Sequence, residues 1–156
     1  MRGPDRQTYF VLLADDSPED RYLLRNAMRS APRLEVVAEV RDGAEAIAYL
    51  NGDGDFNNRR KFPLPHLLLL DLKMPVKDGF AVLEWLRERY IPNCTVVVLT
   101  DSMHPDHIKR ALDLGADLFQ VKPGGKHDRD AFILALEQHV TGASSSYPRT
   151  LGTLGA

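Results

Sequence analysis

Cysteine is almost absent from this chain of 156 residues. Cys94 is the only one, so no disulfide can form within the chain, and its neighbours Thr95, Val96, Val97 and Val98 mark it as a small core residue. An excess of basic charge is missing as well, since 20 Lys and Arg stand against 22 Asp and Glu for a formal charge of −2. A nucleic-acid partner would need a basic face, which this composition does not supply. No apolar run approaches the roughly 20 residues that cross a bilayer, and residues 1–8 lack the apolar stretch of a signal peptide. The sequence therefore predicts no membrane association and a cytoplasmic location. No His and Cys residues are spaced as a transition-metal site; His104 and His107 stand at a helix start and read as surface.

What is present is an ordinary globular make-up, 44% hydrophobic and 27% charged, at a length that suits one domain with its own core. Residues 1–140 are expected to form that domain, and 141–156, rich in Ser, Gly and Thr, a flexible tail. From 9 to 140, short apolar runs alternate with amphipathic stretches five times, which predicts strand–helix units in a parallel α/β sheet covered on both faces. The first strand spans 9–14. Ser17-Pro18-Glu19-Asp20 then offers a capping hydroxyl, a proline at the first helical position and acids in the first turn. That helix would turn Leu23, Leu24, Ala27 and Met28 inward. A weaker strand over 34–40 alternates Val36, Ala38 and Val40 with Glu35, Val37 and Glu39, as suits a sheet edge, and a helix over 44–50 stops at Asn51-Gly52. Runs 67–70, 95–99 and 118–121 have the length of buried strands, with helices over 80–89, 105–113 and 128–140. Segment 51–65 is polar and carries Arg59-Arg60-Lys61; it is expected as a solvated loop in preference to a docking surface.

The strand ends carry the chemistry. Ligands of parallel α/β sheets bind beyond the carboxyl ends of the strands, and here Asp15-Asp16 ends the first strand, Asp71 the third, Thr100 the fourth and Lys122 the fifth. If strands one and three are neighbours, three carboxylates converge, which is costly without a cation or raised pKa values. Mg²⁺ suits such a site because it takes oxygen ligands and keeps several waters. A carboxylate beside it can attack phosphorus. Mg²⁺ would neutralise one peripheral oxygen of the phosphoryl group, Lys122 a second, and the Thr100 hydroxyl would donate to a third.

Jointly, Asp15-Asp16, Leu70-Asp71-Leu72-Lys73-Met74-Pro75 with Asp78-Gly79, Leu99-Thr100 and Val121-Lys122-Pro123 resemble the response-regulator receiver family over about residues 9–140. The resemblance implies a doubly wound, flavodoxin-like sheet of five strands in order 2-1-3-4-5. It implies phosphorylation of Asp71 by a partner sensor histidine kinase, with Thr100 and Lys122 assisting, and Mg²⁺ held by Asp16, Asp71 and the Lys73 carbonyl while Asp15 helps through water. It also implies a cis Lys122-Pro123 bond. Phe119 is either plain core or the aromatic that moves with the threonine on activation. Segment 51–65 and Leu64-Pro65-His66-Leu67 look like the stand-alone regulators that partner bacterial phytochromes. Such a protein is not an enzyme in its own right; it signals to a downstream protein target by contact, and a homodimer stays open.

Two other functions compete. An aspartate-nucleophile phosphohydrolase also places an Asp after a strand beside Mg²⁺, but usually carries a second Asp two residues on, where Lys73 stands. A degenerate receiver acting as a constitutive scaffold is the other, motivated by Asp101, which follows Thr100 where the family usually has a small residue. Asp101 would either pair with Lys73 as a charged gate or turn outward through Ser102.

Overall fold

The computed structural model describes residues 7–101 and 104–142. Five parallel strands form one sheet: β1 (Tyr9–Ala14), β2 (Leu34–Val40), β3 (Leu67–Asp71), β4 (Thr95–Thr100) and β5 (Leu118–Val121), in the order β2-β1-β3-β4-β5 implied by the resemblance. Among the described residues, α1 (Pro18–Ala27), α2 (Gly43–Asn51), α3 (Gly79–Glu88) and α4 (Pro105–Asp113) lie in the connections between strands, and α5 (Lys126–Val140) follows β5. The helix predicted over 105–113 is found at those residues; α2 and α5 start one and two residues earlier than predicted. Asp42 explains the first, since its side chain accepts from the Glu45 N–H and caps α2 ahead of Gly43. Of the tail expected over 141–156, the part from 143 onward lies outside the described residues.

Alternate side chains of a strand point to opposite faces, and both faces here are covered. Val11, Leu13, Leu67, Leu69, Val97, Leu99 and Leu118 pack under α1 and α5; Leu12, Leu68, Leu70, Val96, Val98 and Phe119 pack under α2, α3 and α4. The central β3 is buried along its whole length, which is why its sequence is an unbroken leucine run. At about 1.5–3 kcal/mol per buried aliphatic side chain, those four leucines anchor the strand that ends in Asp71. On α1, Leu24 and Ala27 are buried as expected, as is Met28 just after it, whereas Leu23 is only half-buried.

The edge strand departs from its predicted alternation. The register pairs Val11 with Val36 but Leu12 with Ala38, so Val37 is an extra residue in a bulge. Val36 consequently packs on the α1/α5 side, while Val37, Ala38 and Val40 pack on the other. An irregularity of one residue reverses the faces on either side of it, and periodicity alone carries no sign of it.

Segment 51–65 is largely exposed, as expected of a solvated loop, but a few of its side chains pack back onto α2. Phe56 and Phe62 stack with the buried Tyr49 ring at centroid separations of 5.1 and 6.0 Å, and the Tyr49 hydroxyl donates to the Pro63 carbonyl at 2.7 Å. Arg59 donates to the carbonyls of Tyr49, Leu50 and Phe62 at 2.9, 2.8 and 3.2 Å, closing the C-terminal end of α2. Arg60 and Lys61 alone of the basic run are exposed. Because three charge-assisted bonds converge on one guanidinium, Arg59→Ala is expected to cost about 1–3 kcal/mol. Denaturant unfolding checks the magnitude, and hydrogen exchange should accelerate in 53–63 before it does in β3.

Candidate functional site

The sheet register builds the site. Ala14 lies opposite Leu70, so the residues that follow, Asp15 and Asp71, end adjacent strands. The Asp15 N–H donates to the Val40 carbonyl at 3.0 Å, which carries the strand pairing one residue past β1. Asp15 and Asp71 are buried, at 3% and 4% exposure, and Asp16 is exposed. One oxygen from each of the three lies within 4.8 Å of the others. Thr100 is buried at the end of β4, and its carbonyl accepts from the Lys122 N–H at 2.8 Å. The structure thus brings Asp15, Asp16, Asp71, Thr100 and Lys122 to one end of the sheet. Lys73 belongs there through its backbone, whose N–H donates to Asp71 Oδ1 at 3.2 Å, while its side chain is exposed.

Two glycines fix the loop after Asp71. At Gly79 a Cβ would lie 2.4 Å from the Asp71 carbonyl oxygen, so α3 can begin against the backbone of the acid only because no side chain is present. At Gly43 a Cβ would lie 2.3 Å from the Lys77 carbonyl oxygen, which instead accepts the Gly43 N–H at 2.8 Å. Residues 72–78 are held between these two close approaches.

The electrostatics centre on one ammonium. Lys122 Nζ is 2.8 Å from Asp20 Oδ2, 2.9 Å from Asp15 Oδ2 and 3.4 Å from Asp71 Oδ2. Burial works to lower the pKa of Lys122, but the bonds to Asp20 and Asp15 and the charges of Asp71 and Asp15 outweigh it, so the lysine stays charged. Asp71 is pushed up to about 7, first by burial and then by the Asp15 charge, against the pull of Lys122 and the Lys73 N–H. A carboxyl poised near neutrality beside two further acids marks where a cation is wanted.

Several expectations need correction. There is no cis peptide among the described residues, so Lys122-Pro123 is trans; the Lys122 side chain spans the distance to all three acids from that backbone. Asp101 is exposed, and no ion pair joins it to Lys73 among the described residues, so the charged gate is not formed. Phe119 is wholly buried in the core under α2, α3 and α4, a placement that both of its alternatives share. His104 is exposed as expected, but His107 is half-buried with its ring edge on Phe80 at 5.7 Å. It lines a cleft of about 670 Å³ together with Asp16, Lys73, Thr100, Phe80 and Arg110. Asp20 is the site residue that the sequence reading missed, having been taken only as a first-turn acid. A signal was there: α1 starts two residues after Asp16, so an acid in its first turn overhangs the strand ends.

The donor set suits a hard divalent cation. It consists of carboxylate oxygens, it lacks His and Cys, and its three acids exceed the single ammonium in charge. Asp15, Asp16 and Asp71 are the residues that could hold the ion.

Comparison with known proteins agrees. The model of the response regulator receiver domain matches residues 11–133. The chain is 30% identical over 128 residues to the response regulator Rcp1 of Synechocystis, covering 81% of this chain and 85% of that one. It superposes on the phosphorylated cyanobacterial phytochrome response regulator RcpA with a TM-score of 0.77 at 31% identity, covering 88% of this chain and 97% of that one. The Mn²⁺-bound form of Rcp1 gives 0.74 at 28%, covering 90% and 99%.

The raised pKa of Asp71 makes stability depend on pH with a definite sign. Below about pH 4 the carboxyl is protonated folded or unfolded; from there to about 7 only the folded state keeps the proton, and above that the folded state carries the full cost of the charge. Asp71→Asn should therefore stabilise the metal-free protein at pH 8 by about 1–3 kcal/mol, a figure reduced from the raw shift for screening by Lys122 and water. The gain should shrink towards pH 5, and Mg²⁺ should narrow it at pH 8. Thermal melts of both proteins across this range, with and without Mg²⁺, check the sign.

Proposed function

This chain belongs to the response-regulator receiver family, and from that premise we propose that it accepts a phosphoryl group on Asp71 from a partner sensor histidine kinase and signals by protein contact. The observation that carries this is the buried Asp71 carboxylate with Lys122 Nζ 3.4 Å away and two further acids alongside. One oxygen of Asp71 is the nucleophile. Its bond to phosphorus forms as the donor's P–N bond breaks in line, and the donor imidazole leaves. The Lys122 ammonium, already at the mouth of the carboxylate, takes one peripheral oxygen, and the Thr100 hydroxyl donates to another. Mg²⁺ would be held by Asp16, Asp71 and the Lys73 carbonyl, with Asp15 assisting, and when bound it offsets the charge of the phosphoryl oxygens.

The chain is not an enzyme on this reading, because Lys73 stands where aspartate-nucleophile phosphohydrolases usually carry their acid–base aspartate. The likeness to RcpA, named as a phytochrome response regulator, supports a phytochrome-type kinase as the partner class. A downstream protein is the target; the formal charge of −2 supplies no basic face for nucleic acid, and no helix among the described residues is long and apolar enough to cross a membrane.

Acetyl phosphate with Mg²⁺ should add one phosphoryl group to the protein, seen in the intact mass and mapped to Asp71. Asp71→Asn should take none, and removal of Mg²⁺ by chelation should stop the reaction. Phosphate mapped to another residue would overturn the assignment.

A further inference from the structure

The shortest carboxylate contact of Lys122 lies outside the metal and nucleophile set: Nζ is 2.8 Å from Asp20 Oδ2, against 3.4 Å from Asp71. We propose that Asp20 is a positioning residue, which holds the Lys122 ammonium so that its remaining N–H faces the Asp71 oxygen that receives the phosphoryl group. The inference rests on the phosphoacceptor reading of Asp71.

An ammonium has three N–H donors. Asp15 and Asp20 take two, at 2.9 and 2.8 Å, and the third is left for Asp71 or for whatever is attached to it. The backbone of the lysine is tied, its N–H donating to the Thr100 carbonyl at 2.8 Å, so what is left to be set is the direction of the ammonium. Its stem has four rotatable carbons, and after Pro123 come Gly124 and Gly125, where a Cβ would meet nothing within 4 Å. Asp20, in contrast, stands on a fixed support. It is in the first turn of α1, behind Pro18, and its backbone N–H donates to the capping Ser17 Oγ at 3.2 Å. Asp15 is itself well held, its Oδ1 accepting the Ser17 N–H at 2.9 Å, but it stands in the metal cluster, where a bound cation would compete with the ammonium for its oxygens. Asp20 is not one of the three acids that gather there. Its removal should therefore disturb the lysine and leave the metal site intact.

The cap at the start of α1 uses the backbone of Asp20 and not its side chain, so a substitution there leaves the cap bond in place. Asp20→Ala should lower the limiting rate of phosphorylation by acetyl phosphate about tenfold, in line with what misplacing a catalytic group costs. The KM for acetyl phosphate and the calorimetric Mg²⁺ affinity should stay within about twofold, and Asp20→Glu should recover most of the rate. Glu19→Ala, which removes an exposed acid one residue away, should behave as wild type and so controls for loss of charge. A rate for Asp20→Ala equal to or above wild type, an equal loss in Glu19→Ala, no recovery in Asp20→Glu, or a matching loss of Mg²⁺ affinity would each overturn the role. Wild-type protein that takes up no phosphoryl group would overturn the Asp71 reading itself, and this inference with it, so the two failures are told apart.

Discussion

One lysine holds together an end of the sheet that would otherwise repel itself. Asp15 and Asp71 are buried on adjacent strands with Asp16 beside them, and Lys122 is the cation that the structure sets among them, within 3.4 Å of Asp15, Asp20 and Asp71. At an effective dielectric of about 20, charges 4 Å apart interact by about 4 kcal/mol, so a single ammonium offsets much of the repulsion but leaves acid in excess. The result is a poised site. Asp71 is held near the point where it gains or loses its proton, and a cation or a phosphoryl group with its counter-ion shifts that balance.

The rest of the fold exists to make this arrangement tolerable. Placing β3 between β1 and β4 brings Asp71 beside Asp15, and a strand buried on both faces holds the acid there against repulsion. The leucines of β3 supply that hold by their own burial. Where α3 and α2 meet the loop after Asp71, glycine is required because the neighbouring carbonyls approach closer than a Cβ allows. The same acids that are unfavourable to folding are those that give the site its chemistry, which is the usual relation between stability and function.

How far this could be read from sequence follows from which forces act locally. The strand runs, the Ser17-Pro18 helix start and the acids after each strand are written in adjacent residues, and a parallel sheet collects strand ends on one edge whatever its loops do. Asp15, Asp71, Thr100 and Lys122 were found for that reason. What escaped is set by partners distant in the chain. The bulge at Val37 depends on pairing with β1, and the role of Arg59 depends on where α2 ends. A basic triplet reads as solvated by composition, yet one of its members is spent on three backbone carbonyls while two face water. Asp20 was hidden differently, because a first-turn acid already has a sufficient local explanation in the helix dipole.

That double use of Asp20 links the site to the helices. Lys122 belongs to the connection between β5 and α5, Asp20 to the first turn of α1, and Asp15 to the end of β1, so the ammonium is a joint among elements that share little backbone. Arg21, the next residue on α1, donates to the Asp15 carbonyl and to Glu39 of β2, and Arg25 reaches the same Glu39. On the other side of the cleft, the Arg110 guanidinium of α4 lies 4.1 Å from the centre of the Phe80 ring of α3 and pairs with Glu84 at 3.4 Å. A dianionic group attached to Asp71 must draw on the Lys122 ammonium in competition with Asp20 and Asp15, and it lies at the edge of the cleft that α4 walls. Added charge at one oxygen therefore bears directly on contacts to α1 and to the start of α5, without any need for the buried β3 to move.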